Sequence, residues 1–236
     1  MHVALLTVGD ELLAGDIDNT NASWLARQLG DRGVSVVRIL VVPDDEEVIA
    51  DHVRAYSTEF DAVVVTGGLG GTPDDVTMAA VARAFDRELV VNDAALVAVE
   101  ERLAEVADRY PDLEIDAEAE ASIPEGARVL VNDAGLSPGC VANNVYALPG
   151  IPSEMKAMFE QVADEFSGAM QTRTLYTPTP EGQLLGVLGA VRERFDVEIG
   201  CYPNREQRRN RLKLRSEDAA ALDAAETWLR DEIETV

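Results

Sequence analysis

The chain has 236 residues, 47% of them hydrophobic, so it can bury one large core and still supply a small second module. Its 44 acidic and 20 basic residues give a formal charge of -24, which disfavours anionic partners such as nucleic acid and membrane surfaces. Lys156 and Lys213 are its two lysines, and so acidic and lysine-poor a composition is typical of proteins that work in concentrated salt.

Three β-branched apolar runs, at 3–8, 34–42 and 61–66, are predicted to be parallel strands that helices cover on both faces. Two crossover helices lie between them, within 19–33 and 44–60, because their apolar residues recur at helical spacing. Such repeated units predict a doubly wound, three-layer α/β domain with a mostly parallel sheet. Ligands of such domains lie outside the carboxyl ends of the strands.

The rest of the first domain, which we place at 1–168, is predicted from apolar periodicity and from turn residues. In chain order we expect a helix over 75–85, a strand in 88–91, a helix over 93–109, a solvated acidic excursion over 110–127, a strand at 128–131, a strand over 141–148 and a helix capped by Ser153 that runs to about 166.

A small α+β module is predicted over 172–236, where the pattern changes. It should contain a helix over 181–194, a hairpin over 196–216 and a final amphipathic helix from Glu217. The hairpin includes NREQRRNRLKLR, which holds six of the twenty basic residues. This run fits either an RNA-binding surface or a charged turn that offsets neighbouring acids. We favour the charged turn because of the charge of the whole chain.

The segment TGGLGGTPDDVT, residues 66–77, follows the third strand and contains four glycines. Without Cβ atoms, a phosphate can approach backbone N–H groups, and the N-terminus of the next helix adds partial positive charge. The pattern is neither a Walker A loop nor a Rossmann fingerprint. Taken alone, it fits equally a plain turn in which Asp74 or Asp75 caps the helix.

Carboxylates follow the other two strand ends at the same predicted edge, with Asp10 and Glu11 in GDELLAGD and Asp44 in PDDEE. They would repel one another beside a phosphate loop unless a hard cation such as Mg²⁺ joined them to phosphate oxygens. Most acids of PDDEE also fit as residues of a first helical turn. The segment 19–21, Asn-Thr-Asn, fits either a helix cap or a ribose-binding or base-binding group.

Two cysteines, Cys140 and Cys201, and two histidines are too few for a disulfide framework or a four-ligand zinc site. We expect both cysteines to be small core residues. The start of the chain, MHVALLTVGDELL, is apolar over too few positions for a signal peptide or a membrane span. We therefore expect a cytoplasmic protein.

Five blocks, in this order, resemble the molybdopterin-binding (MoaB/Mog-like) domain family in its CinA-type form: TVGDELLAGDIDNTNASWLARQL, VPDDEEVI, TGGLGGTPDDVT, GLSPGC and LPGIPSEM. The resemblance spans about residues 1–168, and the tail is similar to the small middle module of CinA proteins. It implies a homo-oligomer, dimer or trimer, that binds a nucleotide or a pterin. We expect no nicotinamide mononucleotide deamidase activity, since these residues leave no room for that domain.

The resemblance implies two biochemistries. One is metal-dependent hydrolysis of the pyrophosphate of ADP-ribose, and the other is the binding or adenylylation of molybdopterin. By the same resemblance, Asp44 and Asp75 are the candidate catalytic residues, and Asp75, Asp74 and Asp44 are the candidate ligands of a divalent metal, with Mg²⁺ expected. The candidate substrate-binding residues are Gly67, Gly68, Gly70, Gly71, Thr72, Asp10, Glu11, Asn21, Pro138, Gly139 and Gly150.

The glycine loop departs from the CinA pattern at Gly71, where those proteins usually have proline. The form TGGLG, rather than TGGTG, favours the CinA type over the adenylyltransferase type. A non-catalytic nucleotide-binding module is a third possibility for this chain.

Overall fold

The computed structural model describes residues 1–106, 115–204 and 207–236. The chain divides into two compact units, Met1–Ser167 and Gly168–Val236. Within the described ranges, no helix is both long enough and apolar enough to span a bilayer.

The first unit alternates strands and helices from its first residues onward. In chain order its elements are β1 (His2–Val8), α1 (Asp10–Ala14), α2 (Thr20–Asp31), β2 (Ser35–Val42), α3 (Glu46–Glu59), β3 (Ala62–Thr66), α4 (Thr77–Ala84), β4 (Leu89–Val91), α5 (Asp93–Val106), α6 (Ala117–Glu120), β5 (Ser122–Pro124), β6 (Arg128–Leu130), β7 (Gly139–Ala142), β8 (Val145–Leu148) and α7 (Pro152–Glu160).

A six-stranded sheet with the order β2-β1-β3-β8-β7-β6 forms the centre of this unit. Strands β2, β1, β3 and β8 are parallel, whereas β7 is antiparallel to both of its neighbours. Strands β4 and β5 form a separate antiparallel pair. The predicted α/β architecture with a mostly parallel sheet is therefore confirmed.

Helices cover the central sheet on both faces, and alternate residues of β1 show this directly. Leu6 packs in a core with Ile49 of α3, whereas its neighbour Leu5 packs in another core with Leu25 of α2 and Phe159 of α7. Because successive side chains of a strand point to opposite faces, the two cores lie on opposite sides of the sheet. The unit thus has the predicted three layers.

The single strand predicted over 141–148 is wrong, because the chain turns back at residues 143 and 144. Asn143 adopts a left-handed conformation (φ 54°), and β7 and β8 pair antiparallel on either side of it. Asparagine tolerates this conformation better than most residues. The side chain of Asn144 donates to the carbonyl oxygens of Ser57 and Phe60, each at 3.0 Å, which fixes the turn.

The solvated excursion predicted over 110–127 is wrong for its second half, which contains α6 and β5. Ala121 and Ile123 are almost fully buried there, and β5 pairs with β4. Their burial outweighs the acidic composition around them. Residues 107–114, which include the end of the helix predicted over 93–109 and the start of the excursion, lie outside the described residues.

The predicted cap of α7 by Ser153 is also wrong. The N-cap residue is Ile151, whose side chain makes no capping hydrogen bond, and Pro152 occupies the first turn. Proline is suited to this place because its φ is already helical and its missing N–H has no partner inside a helix. The helix ends at Glu160, and a short 3₁₀ turn follows at Ala163–Glu165.

The second unit has the element order β9 (Gln171–Thr177), α8 (Glu181–Arg194), β10 (Glu198–Asn204), β11 (Arg209–Ser216) and α9 (Ala219–Glu232). Its sheet is antiparallel with the order β10-β11-β9, so the predicted hairpin is confirmed and its second strand is central. Side chains from one face of this sheet and from both helices form one core, which includes Leu184, Leu212, Leu214, Leu222 and Leu229.

The acidic residues are distributed unequally between the units. Gly168–Val236 contains ten of the twenty basic residues but twelve of the 44 acidic ones, so the negative charge lies almost entirely in Met1–Ser167.

Like charges repel, and salt screens that repulsion. We expect molar potassium chloride to raise the melting temperature of Met1–Ser167 by several degrees, and that of Gly168–Val236 less. Calorimetry in dilute and molar salt checks this, and greater stability in dilute buffer would contradict it.

Candidate functional site

A cavity of about 550 Å³ lies at the carboxyl ends of the parallel strands. The loops after β1, β2, β3 and β8 form its walls. This is the crevice where doubly wound sheets bind ligands, and its volume suits a nucleotide.

Most of the predicted site residues line this cavity. They are Glu11, Asn21, Asp44, Gly67, Gly68, Gly70, Asp74, Asp75 and Gly150.

The remaining predicted residues lie elsewhere. Asp10 adjoins the cavity through its backbone, and Gly71 and Thr72 line a smaller cavity of about 210 Å³ that shares Gly70 and Asp75 with the first. Pro138 and Gly139 are not among the described residues that line either cavity. A Cβ atom at Gly139 would contact Met158 and the backbone oxygen of Ala147, so this glycine allows close packing of β7.

The glycine loop after β3 is held close to the ends of β1 and β8. Gly67 has φ 101°, and a Cβ atom there would overlap the backbone oxygen of Val8. Its N–H donates to the carbonyl oxygen of Leu148 at 3.1 Å. A Cβ atom on Gly150 would lie 3.3 Å from the Cα of Gly67. The loop therefore needs glycine at position 67 to occupy this wall of the cavity.

Asp75 holds the glycine loop closed. Its Oδ2 accepts a hydrogen bond from the Thr72 N–H at 3.1 Å and lies 2.6 Å from the Thr72 hydroxyl oxygen. The same hydroxyl lies 2.6 Å from Oδ1 of Asp74, and this hydrogen bond lowers the pKa of Asp74. Helix α4 begins at Thr77 with Val76 as its N-cap and no capping side chain. The interpretation of these aspartates as plain helix caps is therefore wrong.

Asp44 lies across the cavity in a strongly negative environment. Its Oδ2 accepts the N–H of Asp10 at 2.8 Å. Partial burial raises the pKa of Asp44, and repulsion from the carboxylates of Asp10, Glu11 and Asp74 raises it further. A bound cation would relieve this repulsion, so the donor set fits a hard divalent ion.

These carboxylates do not form a complete metal site by themselves. In the part of the chain that the structure describes, no three Asp, Glu, His or Cys side chains converge closely enough to hold an ion. Phosphate oxygens of a bound ligand would have to complete the coordination, as they commonly do for Mg²⁺.

The two asparagines of the segment 19–21 have different roles. Asn19 caps α2 by accepting the Ala22 N–H at 3.1 Å. Asn21 donates to the carbonyl oxygen of Gly150 at 2.6 Å, and its buried Oδ1 has no partner among the described residues. The hydroxyl of Thr66, which also lines the cavity, is likewise without a partner within those residues. Both oxygens can accept a hydrogen bond from a ligand.

Sequence reasoning missed Ser137, Glu154 and Glu120. Ser137 and Glu154 line the cavity, and Glu154 accepts from the side chain of Asn132 at 2.7 Å. Ser137 donates to Glu120, whose pKa is raised by burial and also by the charge of Asp75. No local signal separates Glu120 from the other acids of its stretch.

The two cysteines differ in burial. Burial raises the pKa of the Cys140 thiol to about 12, whereas Cys201 is only partly buried. The thiolate is the reactive form, so we expect Ellman's reagent to label Cys201 in the native protein and to spare Cys140 until unfolding. Thiol counts before and after guanidinium addition check this. Native labelling that survives Cys201→Ser would contradict it.

Comparisons with known proteins agree with the fold. Residues 4–167 match the domain family described as "probable molybdopterin binding domain", and residues 169–236 match "FAD synthase, middle domain". A protein of Archaeoglobus fulgidus is 39% identical over 208 residues, which cover 86% of each chain. A CinA-like protein of Citrifermentans bemidjiense is 40% identical over 177 residues, which cover 72% of this chain and 42% of that one.

A solved structure also agrees with the fold. The CinA protein of Thermoplasma acidophilum, whose function is described as unknown, superimposes with a TM-score of 0.64 at 31% identity. The match covers 71% of this chain and 99% of that one.

The first unit is thus an α/β domain with a crevice beside a glycine loop. The chain belongs to the molybdopterin-binding (MoaB/Mog-like) domain family, and within it to the CinA-like proteins. The match of residues 169–236 to a module of FAD synthase adds a relationship that the sequence motifs did not indicate.

Proposed function

We propose that Met1–Ser167 hydrolyses the pyrophosphate bond of ADP-ribose-like dinucleotides with the help of a divalent cation, Mg²⁺ being expected. The observation that supports this most is that the glycine loop, which carries Asp74 and Asp75, lines the same crevice as Glu11 and Asp44. A loop of backbone N–H groups attracts phosphate, and carboxylates beside it suit a cation that binds phosphate oxygens.

Each part of the crevice has a distinct task in this proposal. The glycine loop binds the phosphates through backbone N–H groups, and Asp44, Asp74 and Asp75 would hold the cation together with phosphate oxygens. Mg²⁺, when bound, would neutralise phosphate charge and lower the pKa of a water molecule. Asn21 and Glu154 would accept hydrogen bonds from the ribose or the base.

The test is a hydrolysis assay of the whole chain with several dinucleotides and divalent metals. ADP-ribose should give AMP and ribose 5-phosphate with consumption of one water. FAD belongs in the assay because residues 169–236 match a module of FAD synthase, and it should give AMP and FMN. Product identification by chromatography decides the outcome. No AMP from any dinucleotide with any metal would refute the proposal.

A second candidate function is the binding or adenylylation of molybdopterin. The unpartnered Oδ1 of Asn21 and the carboxylate of Glu154 are acceptors that suit the N–H donors of a pterin. Pterin fluorescence that copurifies with the chain, or that changes on titration, would support this candidate. Adenylylation further requires ATP-dependent transfer of AMP to the pterin.

A third candidate is a nucleotide-binding module without turnover. It predicts tight ADP-ribose or AMP binding, no hydrolysis and little change of the bound state in Asp75→Asn. Calorimetric titration alongside the hydrolysis assay separates it from the first candidate. The dimer or trimer implied by the resemblance stays a prediction, which sedimentation equilibrium tests.

A further inference from the structure

The central strand of the second unit presents a row of cations on its outer face. Leu212 and Leu214 of β11 point into the core. The alternate residues therefore face away from it, because strand side chains alternate between the two faces of a sheet. This basic row consists of Arg209, Arg211, Lys213 and Arg215.

Most of the basic row has no acidic partner among the residues that the structure describes. Arg215 pairs with Glu198 of β10 at 3.7 Å, but Arg209, Arg211 and Lys213 form no ion pair with the described acids. The interpretation of these cations as a charged turn that offsets neighbouring acids accounts for Arg215, but within the described residues it does not account for the other three.

Two tyrosines flank one end of the basic row. The guanidinium of Arg209 lies 4.2 Å from the ring centroid of Tyr176 on β9, and that of Arg211 lies 5.1 Å from the ring centroid of Tyr202 on β10. Tyr202 remains 49% exposed. Aromatic rings and guanidinium planes are the groups on which proteins stack unpaired bases.

We propose that the outer face of β9, β10 and β11 binds single-stranded nucleic acid, with phosphates along the basic row and bases against Tyr176 and Tyr202. The row is about 20 Å long, with neighbouring cations about 7 Å apart, given the rise of a β-strand. One mononucleotide would reach only part of this length, whereas an extended strand matches it. The flat stacking groups favour a base-bearing polyanion over an acidic polypeptide.

The charge of the whole chain does not oppose this proposal. The formal charge of -24 disfavours nucleic acid when it is taken over the whole chain, but nearly all of this negative charge lies in Met1–Ser167. Within Gly168–Val236 itself, ten basic residues nearly balance twelve acidic ones. The attraction of the basic row for phosphates should weaken steeply as salt rises, because phosphate binding releases counterions.

The experiment measures fluorescence anisotropy of labelled oligouridine and oligothymidine, each about a dozen nucleotides long, with the whole chain. We expect binding at low salt that weakens steeply with added potassium chloride. Arg211→Glu and Lys213→Glu should each weaken binding at least tenfold, and Tyr202→Ala should weaken it several-fold. Lys213→Arg keeps the charge and should bind like the parent.

The control variant is Arg27→Glu, which makes the same charge change at an exposed residue of α2 and should leave binding unchanged. Thermal melts identify any variant that does not fold, in which case Arg211→Gln replaces Arg211→Glu. Absence of binding at the lowest salt, or equal weakening by Arg27→Glu, would overturn the proposal. So would a concentration-dependent dimer that Arg211→Glu abolishes and that oligonucleotide does not displace, since the row would then bind a second copy.

Discussion

Gly67→Ala is expected to lower the free energy of unfolding of Met1–Ser167 by about 3 kcal/mol or more, and to abolish ligand binding in the crevice. Two costs add at this position. Alanine is strained at φ 101°, and its Cβ atom would overlap the backbone oxygen of Val8. Because that oxygen belongs to the end of a buried strand, it cannot move aside cheaply. Urea unfolding and a nucleotide titration measure the two effects.

Gly126→Ala is the matched control in the same unit. Gly126 also has a left-handed conformation (φ 72°), but no atom lies within 4 Å of a Cβ atom built there. It should therefore show only the conformational cost, about 1–2 kcal/mol, with ligand binding intact. Equal costs at the two positions would show that the contact with Val8 relaxes. The glycine loop would then be less rigid than the structure indicates.

Asp44→Asn is expected to reduce any dinucleotide hydrolysis at least a hundredfold while leaving stability at neutral pH unchanged or higher. Asparagine retains an oxygen that can accept the Asp10 N–H, but it removes one of the repelling charges. A carboxylate in this environment opposes folding, so if Asp44 takes part in the proposed reaction, its loss should lower activity without lowering stability. Initial rates of AMP formation and urea unfolding measure the two quantities.

The effect of Asp44→Asn on stability should depend on pH. Because folding raises the pKa of Asp44, protonation of this group favours the folded state. The unsubstituted protein has this contribution to stability at pH values below the pKa of Asp44 in the unfolded chain. It loses the contribution as the pH rises through the pKa of Asp44 in the folded protein. The stability of Asp44→Asn relative to the parent should therefore increase over that range and then level off.

Asp45→Asn is the control for this variant. Asp45 caps α3 by accepting the N–H groups of Glu47 and Val48 at 3.0 Å, and asparagine caps helices about equally well. Neither activity nor stability should change much. If Asp44→Asn kept the full rate of hydrolysis, Asp44 would have no part in the reaction.

The strands and the edge where the crevice lies could be predicted from sequence because local signals determine both. Uninterrupted β-branched runs such as 61–66 indicate buried parallel strands, and parallel strands place their following loops at one edge. Asp44 and the glycine loop therefore had to lie at the same edge of the sheet, although they are more than twenty residues apart in the chain.

What the sequence did not reveal depends on contacts between distant segments. The turn at Asn143 interrupts an apolar run whose composition suits one long strand, and carbonyl groups near residue 60 hold it in place. Glu120 reaches the glycine loop only because β5 pairs with β4 and buries Ile123. Asp75 is of a residue type that suits a helix cap, but in the structure it closes the glycine loop through Thr72 instead.

The contacts of Gly67 and Asn21 with the loop after β8 also determine when the crevice can form as the chain is synthesised. Gly67 donates to the carbonyl oxygen of Leu148, and Asn21 donates to that of Gly150, 129 residues further along the chain. During synthesis, the first three strands emerge long before these partners do. A nascent chain can therefore have its glycine loop without a finished crevice, so that ligand binding reports when the whole first unit has folded.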